Sequence, residues 1–295
     1  MKALEKIIDK EKIIYDALLK DYTSFKVGGP CRAMVFPESP DEISAVITFC
    51  KENGIKHYLI GNGTNVIAPD EGYDGVVIRI GEGFSRITCE GNTIKAQAGA
   101  LMSALANAAC EAGLSGLEFA GGIPGSVGGG IVMNAGAYDG ELKNTVVSVT
   151  ALKNGEVITL PAADCGFAYR TSVFQKEDMV VLEAEFALTA GVKEEIRAKI
   201  NDLNRRRREK QPLSFPSAGS TFKRPEGYFA GKLIQDCGLK GLSVGGAAVS
   251  DLHAGFVINK GDASASDILE LIELIKNTVY DRFKVELVPE VRVMK

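Results

Sequence analysis

Gly121-Gly122-Ile123-Pro124-Gly125-Ser126-Val127-Gly128-Gly129-Gly130 holds six glycines in ten positions. Glycine loses more backbone freedom on ordering than any other residue, so we do not expect this run to form a helix or strand interior. Successive amides without Cβ atoms can instead form a concave site for phosphate. A flexible linker is the alternative, but linkers lack the Ile, Val and Met residues that continue through position 133. We therefore expect an ordered loop that grips an anionic ligand.

The composition is that of a soluble globular protein. Of 295 residues, 45% are apolar and 24% are charged, enough for two or three subdomains with substantial cores. The net charge of -4 provides no general attraction to nucleic acid or to anionic membranes. No apolar run reaches the roughly 18 residues that a membrane span needs. We therefore expect no nucleic-acid partner and no membrane segment.

The cysteines and the N-terminus indicate a cytoplasmic protein. The six cysteines are far apart and form no C-x-x-C pair, so no zinc site or other metal site is expected. Residues 1–20 alternate charge with Leu4, Ile7, Ile8 and Ile14, which is the spacing of an amphipathic helix. They lack the apolar core of a secretory signal, and reduced thiols fit the cytoplasm.

Changes in periodicity divide the chain into four segments. We predict an N-terminal helix over residues 1–20, a first α/β subdomain over residues 21–81 and a second over residues 82–190. A C-terminal α/β domain covers residues 191–295, and its last strand, near residues 285–293, is able to return to the second subdomain.

Local signals predict individual elements within these segments. Ser39 and Pro40 have the order of an N-cap and a first helical residue, and Gly54 ends the predicted helix. Gly91-Asn92 and Asn154-Gly155 each separate two apolar stretches, so both are predicted to be tight hairpin turns.

A second small-residue loop, Gly61-Asn62-Gly63-Thr64-Asn65, follows a predicted strand. A dinucleotide-binding fold would need a helix after this loop, but Pro69, Gly72 and Gly75 forbid one. Two glycine-rich loops in consecutive subdomains instead suggest a long diphosphate-bearing ligand that contacts both.

These motifs carry a resemblance to a known family. The loops at residues 61–65 and 121–129 resemble the two FAD-cradling loops of the vanillyl-alcohol-oxidase type of flavin-binding domain. Four later motifs resemble UDP-N-acetylenolpyruvoylglucosamine reductase, in that family's order: Tyr169-Arg170-Thr171-Ser172, Ala218-Gly219-Ser220 with Phe222-Lys223, His253-Ala254-Gly255-Phe256 and Pro289-Glu290-Val291-Arg292. The resemblance, which extends over residues 22–293, implies an α+β fold. That fold is a vanillyl-alcohol-oxidase-type (PCMH-type) FAD-binding domain of two α/β subdomains plus a C-terminal α/β substrate-binding domain.

The resemblance also implies a cofactor and a reaction. Noncovalent FAD takes hydride from NADPH and passes it to the enolpyruvyl group of a UDP-sugar, giving UDP-N-acetylmuramate for peptidoglycan, with no obligate protein partner. The implied cofactor-binding residues are Gly61, Asn62, Gly63, Thr64, Asn65, Gly121, Gly122, Ile123, Pro124, Gly125, Ser126, Gly128, Gly129, Asn134, Gly136 and Ala137.

Three further residues match the family's catalytic positions. Hydride addition leaves negative charge beside the substrate carboxylate, and Arg170 and Glu290 match the positions that stabilise it. Ser220 matches the proton donor, a role that a weakly acidic hydroxyl fills only beside favourable charges. Each of these residues taken alone has an ordinary structural alternative, and the assignment depends on their joint occurrence with both loops.

Arg206, Lys223 and Lys232 are expected to bind the substrate. Arg206 lies in the run Arg205-Arg206-Arg207-Arg208, at the end of a helix predicted from an apolar stripe at residues 192–203. Cations at a helix C-terminus also complement the helix dipole, so this run has two interpretations. His57 and His253 are interpreted as structural.

The chain departs from the family pattern in two places. Arg224 follows Lys223 where many members have asparagine, so the substrate contact of that asparagine is not transferred. The short interval between Arg170 and Ser220 resembles the branch without the extra tyrosine-bearing loop over the substrate.

Two other functions are compatible with parts of this pattern. A flavoenzyme of the same superfamily could oxidise a hydroxy acid or a sugar and be reoxidised by oxygen. A nucleotide-binding module without catalysis would keep both glycine loops but would not need Arg170, Ser220 and Glu290 together.

Overall fold

The computed structural model describes residues 2–295 and divides into two compact units. Unit 1 comprises residues 2–15, Ala33–Asn62 and Gly75–Arg207. Unit 2 comprises Asp16–Arg32, Gly63–Asp74 and Arg208–Lys295.

The described residues contain six α-helices and short stretches of 3₁₀ helix between the strands. The helices are α1 (Pro40–Glu52), α2 (Met102–Glu111), α3 (Val127–Met133), α4 (Lys193–Lys210), α5 (Ala230–Asp236) and α6 (Ala265–Phe283). The strands are β1 (Ile13–Tyr15), β2 (Cys31–Val35), β3 (Lys56–Ile60), β4 (Val66–Ile67), β5 (Tyr73–Arg79), β6 (Ile87–Glu90), β7 (Thr93–Gln97), β8 (Leu114–Ser115), β9 (Gly136–Ala137), β10 (Gly140–Glu141), β11 (Val146–Lys153), β12 (Glu156–Pro161), β13 (Met179–Ala187), β14 (Thr189–Ala190), β15 (Ser243–Val244), β16 (Ala247–Val249), β17 (Val257–Asn259) and β18 (Arg292–Val293).

A five-stranded antiparallel sheet of order β12-β11-β13-β7-β6 forms the larger part of unit 1. Its two tight hairpins confirm the predicted turns, and Asn154 and Gly155 both take the positive φ angles of such a turn. Apolar side chains of the sheet, such as Ala96 and Val149, share one core with Leu105 of α2 and Ile131 of α3. The sheet therefore anchors α3, the helix that begins within the glycine-rich run.

A smaller sheet of order β1-β2-β5-β3 completes unit 1, with β3 and β5 parallel. Helix α1 begins as predicted, because Ser39 Oγ accepts a hydrogen bond from the Glu42 amide at 3.2 Å. Its buried residues Val46 and Phe49 join the core of this sheet.

Unit 2 is built around α6 and the antiparallel sheet β15-β16-β17. Leu271 and Ile275 of α6 pack with Val257 of the sheet. The Asp70 carboxylate accepts hydrogen bonds from the amides of Ala265 and Ser266 at 2.7 and 3.0 Å. A residue from a distant part of the chain therefore caps this long helix.

The prediction of a helix over residues 1–20 is wrong for the described part of that range, residues 2–20. The chain there forms 3₁₀ turns at Lys2–Lys6 and Lys10–Lys12, strand β1, and a further 3₁₀ turn at Leu19–Asp21. The Asp9 carboxylate caps the start of the second 3₁₀ turn by accepting from the Glu11 amide at 3.1 Å. The following residues instead pair with β2, a tertiary contact that the helical spacing does not reveal.

The end of the chain also differs from the prediction. Only Arg292–Val293 is a strand within the predicted stretch, and it pairs in parallel with Val66–Ile67 rather than with residues 82–190. The boundary expected near residue 190 also differs from the observed one. Helix α4 stays with unit 1 through Arg207, because Ile196 and Ile200 pack on Cys110.

Residues 2–295 contain neither a membrane-spanning helix nor a cluster of metal-ligating side chains. None of the helices combines the length and the apolar character needed to cross a bilayer. Within the same residues, no three His, Cys, Asp or Glu side chains are grouped so that they could hold a metal ion.

Candidate active site

The two glycine-rich loops touch each other in unit 1. A Cβ atom added at Gly61 would lie 2.2 Å from Ser126 Oγ, so only glycine allows this approach. Ser126 is 3% exposed and its hydroxyl accepts from the Gly129 amide at 3.5 Å. The loops that were predicted to share one ligand are therefore adjacent where Gly61 meets Ser126.

The second half of the glycine run is a helix, which corrects the prediction that it could not be one. Ser126 is the N-cap and Val127–Met133 form α3. A Cβ at Gly128 would lie 2.8 Å from Ala98 Cβ, and one at Gly130 would lie 2.9 Å from Met102 Sδ. Close packing of this helix on β7 and α2 therefore offsets the backbone entropy that glycine loses.

Gly129 differs from its neighbours because it faces outward. The residue is exposed, and a Cβ there would meet nothing nearer than Ser126 Oγ at 3.6 Å. Protein packing alone does not explain a glycine at this position. Close approach of a ligand to the backbone does explain it.

Glu118 is a buried carboxylate at the start of the second loop, and the sequence reading missed it. It is 5% exposed, and it accepts hydrogen bonds from Ser115 Oγ at 2.6 Å and from the Gly116 amide at 3.1 Å. Lys199 Nζ of α4 lies 3.6 Å away. Burial raises the pKa of Glu118, but these hydrogen bonds and the Lys199 charge outweigh burial, so the pKa is lowered. The ionised carboxylate thus links the start of the second glycine-rich loop to α4.

We expect Glu118→Gln to lower the free energy of unfolding at neutral pH by about 1 to 3 kcal/mol. Because the folded-state pKa lies below the unfolded value of about 4.5, the stabilisation is present above that pH and is lost as the pH falls. Urea unfolding at neutral and acidic pH measures this. The exposed Glu90→Gln variant should match wild type at both pH values. An equal loss at both pH values would contradict a role for the ionised form.

Arg170 occupies a strained turn in unit 1. Ala168 and Thr171 close the turn by two backbone hydrogen bonds, and Arg170 has a φ of 53°, which is uncommon for any residue but glycine. Its Nη2 donates to the Gly136 carbonyl at 3.0 Å, and its guanidinium lies 5.2 Å from the centre of the Tyr169 ring. The turn therefore aims the cation at the β9–β10 hairpin, among the predicted cofactor residues Gly136 and Ala137.

Asn134 was predicted to bind the cofactor, and its side chain is engaged in hydrogen bonds within the protein. It is fully buried and donates to Glu141 Oε2 at 2.7 Å and to the Ala168 carbonyl at 3.1 Å. Its oxygen accepts from the Lys143 amide at 3.0 Å. These bonds use the hydrogen-bonding capacity of the amide within the protein, so Asn134 ties the C-terminus of α3 to the Arg170 turn.

Ser220 and Glu290 lie on paired segments of unit 2. The Glu290 amide donates to the Thr221 carbonyl at 2.8 Å, and Phe222 and Pro289 form an antiparallel bridge. Ser220 is exposed and its hydroxyl donates to the Phe222 carbonyl at 3.3 Å. The structure thus places the predicted proton donor one residue from the partner of Glu290. Arg170 belongs to unit 1, so its action together with these two residues is part of the proposal below.

The first loop is joined to the Glu290 segment through Asn65. Asn65 Nδ2 donates to the Glu290 carbonyl at 3.2 Å, and the Asn65 carbonyl accepts from the Arg292 amide at 3.0 Å. Nearby in the loop, the Ser24 amide donates to the Gly63 carbonyl. Ser24 Oγ is buried and has no hydrogen-bond partner within residues 2–295.

These observations test whether the residues fit FAD. Within unit 1, the loops meet at Gly61 and Ser126, and Gly129 leaves its backbone open to the approach of a ligand. A ligand held by backbone amides of both loops fits this arrangement. The residues present therefore fit the group.

The predicted substrate-binding cations have different surroundings. Arg206 Nη2 pairs with Asp202 at 2.6 Å, and Lys232 pairs with Asp236, both on exposed helix faces. Lys223 is half-buried on the Ser220 segment, and its ammonium has no partner in the described chain. Lys223 therefore stays the best placed of the three, whereas the other two are already engaged.

His57 and His253 have half-buried rings, and burial lowers the pKa of both. His253 Nδ1 accepts from the Gly255 amide at 3.1 Å, and Gly255 in turn accepts from the Thr221 amide at 2.9 Å. His253 therefore supports the turn next to Ser220, consistent with the structural interpretation.

Comparison with known proteins places the chain in a family. A model of the FAD binding domain matches residues 31–161, and a model of the C-terminal domain of UDP-N-acetylenolpyruvoylglucosamine reductase matches residues 211–294. The reductase of that name from Clostridium novyi (strain NT) is 52% identical over 294 residues, 99% of this chain and 95% of that protein. The crystal structure of the Thermus caldophilus reductase superposes with a TM-score of 0.82 at 35% identity, covering 95% of this chain and 98% of that chain. A Phl p 4 variant, a glucose oxidase, shares the fold alone, with a TM-score of 0.50 and 14% identity over 64% of this chain and 43% of that chain. The chain thus belongs to the UDP-N-acetylenolpyruvoylglucosamine reductase family.

Proposed function

We propose that this protein reduces the enolpyruvyl group of UDP-N-acetylglucosamine enolpyruvate to give UDP-N-acetylmuramate for peptidoglycan synthesis in the cytoplasm. FAD is the noncovalent cofactor, and when bound it carries hydride from NADPH to the substrate. The observation that carries the proposal is the 52% identity to a reductase of this name over nearly the whole chain. The Arg170 turn and the Ser220–Glu290 pair, both at the family's motif positions, support it.

The residues proposed to hold FAD are those of the two loops and of the β9–β10 hairpin. Gly61, Asn62 and Gly121–Gly129 contribute from unit 1, and Gly63, Thr64 and Asn65 contribute from unit 2. Their backbone amides suit a diphosphate because they donate without bulky side chains in the way.

The catalytic residues are proposed to act on the substrate side. Hydride addition to the terminal enol carbon leaves negative charge on the adjacent carbon and its carboxylate. The Arg170 guanidinium and the Glu290 carboxyl group are proposed to stabilise that charge. The Ser220 hydroxyl, which in the structure donates to the Phe222 carbonyl, turns to donate its proton to the carbanion. Lys223, on the same segment, is the proposed contact for the substrate diphosphate.

We expect the purified protein to be yellow and to release free FAD on denaturation, because no residue of either loop is a covalent flavin anchor. Absorbance of the supernatant after precipitation measures this. Colour that stays with the precipitated chain would contradict noncovalent binding. Failure of the refolded chain to take up added FAD would contradict the proposed cofactor.

Gly129→Ala and Gly128→Ala form a matched pair that tests where FAD binds. Gly129→Ala should leave the apoprotein as stable or up to about 1 kcal/mol more stable, since alanine favours a helix. It should weaken FAD at least about tenfold if the cofactor approaches this backbone. Gly128→Ala should destabilise the apoprotein by about 1 to 3 kcal/mol, because its Cβ meets Ala98.

Thermal unfolding of both apoproteins and FAD titration by fluorescence quenching check these effects. Unchanged FAD affinity in Gly129→Ala would show that the exposed face of α3 is not a flavin contact.

A further inference from the structure

The last turns of α4 lie against the first two glycines of the central loop. Ile200, Asn204 and Arg207 follow one another at helical spacing and so share one face of α4. A Cβ at Gly121 would lie 2.9 Å from Ile200 Cγ2, and one at Gly122 would lie 2.4 Å from Asn204 Oδ1 and 3.2 Å from Arg207 Cδ. Glycine at these two positions is therefore required by helix packing, which brings the Arg207 stem onto the loop.

The four consecutive arginines are not equivalent in this register. Arg205 and Arg206 both pair with Asp202, at 2.6 Å each, on the exposed side of α4. Arg207 is half-buried, and its guanidinium has no ion pair or hydrogen bond to any residue from 2 to 295. A helix dipole alone would not select this one arginine for the inner face.

A half-buried cation that has no partner of opposite charge raises the free energy of the folded state. Burial lowers the pKa of the Arg207 guanidinium, and the interaction with Tyr138 opposes that effect only in part. Buried charges in proteins are paired or bind a ligand of opposite charge. No acidic side chain of the described residues supplies that charge, so an anionic ligand is the remaining source.

We propose that Arg207 binds a phosphate group of a diphosphate ligand at the Gly121–Gly122 turn. This rests on the proposed function, which provides two such ligands, FAD and the UDP-sugar. A guanidinium donates a fork of two hydrogen bonds to phosphate oxygens, and the adjacent glycine backbone leaves room for them. Arg207 thus takes the role that the sequence assigned to Arg206.

The test compares Arg207→Gln with Arg205→Gln in the full-length chain. FAD affinity is measured by titrating the apoprotein and following flavin fluorescence, and substrate affinity by the spectral change when UDP-N-acetylglucosamine enolpyruvate binds the oxidised holoprotein. We expect Arg207→Gln to weaken one of these ligands about 10- to 100-fold, since charge-assisted hydrogen bonds are lost. Arg205→Gln should weaken neither, and Arg207→Lys should recover part of the loss.

The ligand that is weakened identifies the diphosphate that Arg207 contacts. The apoprotein of Arg207→Gln should melt at or above the wild-type temperature, because an unpaired charge is removed. Unchanged affinity for both ligands, or a lower melting temperature without any change in affinity, would overturn the inference. If wild type binds neither ligand, the proposed function itself fails.

Discussion

Ser220→Ala should lower turnover about 10²- to 10⁴-fold while leaving the affinity for substrate almost unchanged, because the variant lacks only the positioned acid. The Ser220 side chain is exposed and its hydroxyl donates to the Phe222 carbonyl at 3.3 Å, so we expect the variant to keep the fold. Reduction of the flavin by NADPH should proceed at the wild-type rate, since the hydroxyl has no part in that half-reaction.

Ser220→Cys provides the sharper comparison. A thiol is more acidic than a hydroxyl and occupies nearly the same place, so part of the lost turnover should return. Ser214→Ala removes an exposed hydroxyl from the same stretch of chain and should behave like wild type. Turnover of Ser220→Ala within a few fold of wild type, or a loss that is explained by weaker substrate binding, would show that Ser220 is not the acid.

Arg170→Lys should slow reoxidation of the reduced flavin by substrate about 10²- to 10³-fold, because a point charge replaces the planar fork that faces the developing carboxylate charge. Bleaching by NADPH should stay near the wild-type rate in stopped-flow traces. The turn should persist, since its backbone bonds between Ala168 and Thr171 do not involve the side chain.

Glu290→Gln should show the same separation of the two half-reactions. Its backbone amide bond to the Thr221 carbonyl remains, so the paired segments of unit 2 should be unchanged. Glu286→Gln, an exposed carboxylate on the same C-terminal stretch, is the matched control. Equal slowing of NADPH bleaching and substrate reoxidation in either catalytic variant would point to a structural role for that residue.

Elements with local signals were predictable from the sequence. The Ser39 cap and the Asn154-Gly155 turn each depend on residues within a few positions of one another. The family motifs identified Ser220 and Glu290 but did not predict that their segments pair, as they do in the structure.

Features that depend on tertiary contacts were not predictable from local pattern. The helix expected over residues 1–20 yields to pairing of β1 with β2, and the glycines of α3 are acceptable in a helix only because Ala98 and Met102 pack against them. Each unit is assembled from three separate stretches of the chain. A prediction that divides the chain into consecutive segments could not describe such units.

The binding of substrate by Arg206 stays a prediction, and in the structure Arg206 pairs with Asp202. The apolar stripe at Ile196, Ile200 and Leu203 continues by one helical step to Arg207, not to Arg206. Extending that stripe past the last apolar residue would have identified the inward-facing arginine. The buried Glu118 had no comparable signal, because nothing in its local sequence distinguishes it from a surface carboxylate.

A single-turnover experiment on the wild-type protein tests whether the flavin passes hydride from NADPH to the enolpyruvyl substrate. The flavin is first bleached with one equivalent of NADPH under anaerobic conditions, and UDP-N-acetylglucosamine enolpyruvate is then added while absorbance is followed. If the protein is the reductase, we expect rapid return of the oxidised flavin spectrum together with one equivalent of UDP-N-acetylmuramate. A reduced spectrum that the enolpyruvyl substrate leaves unchanged, while oxygen restores the colour rapidly, would contradict it and would favour an oxidase.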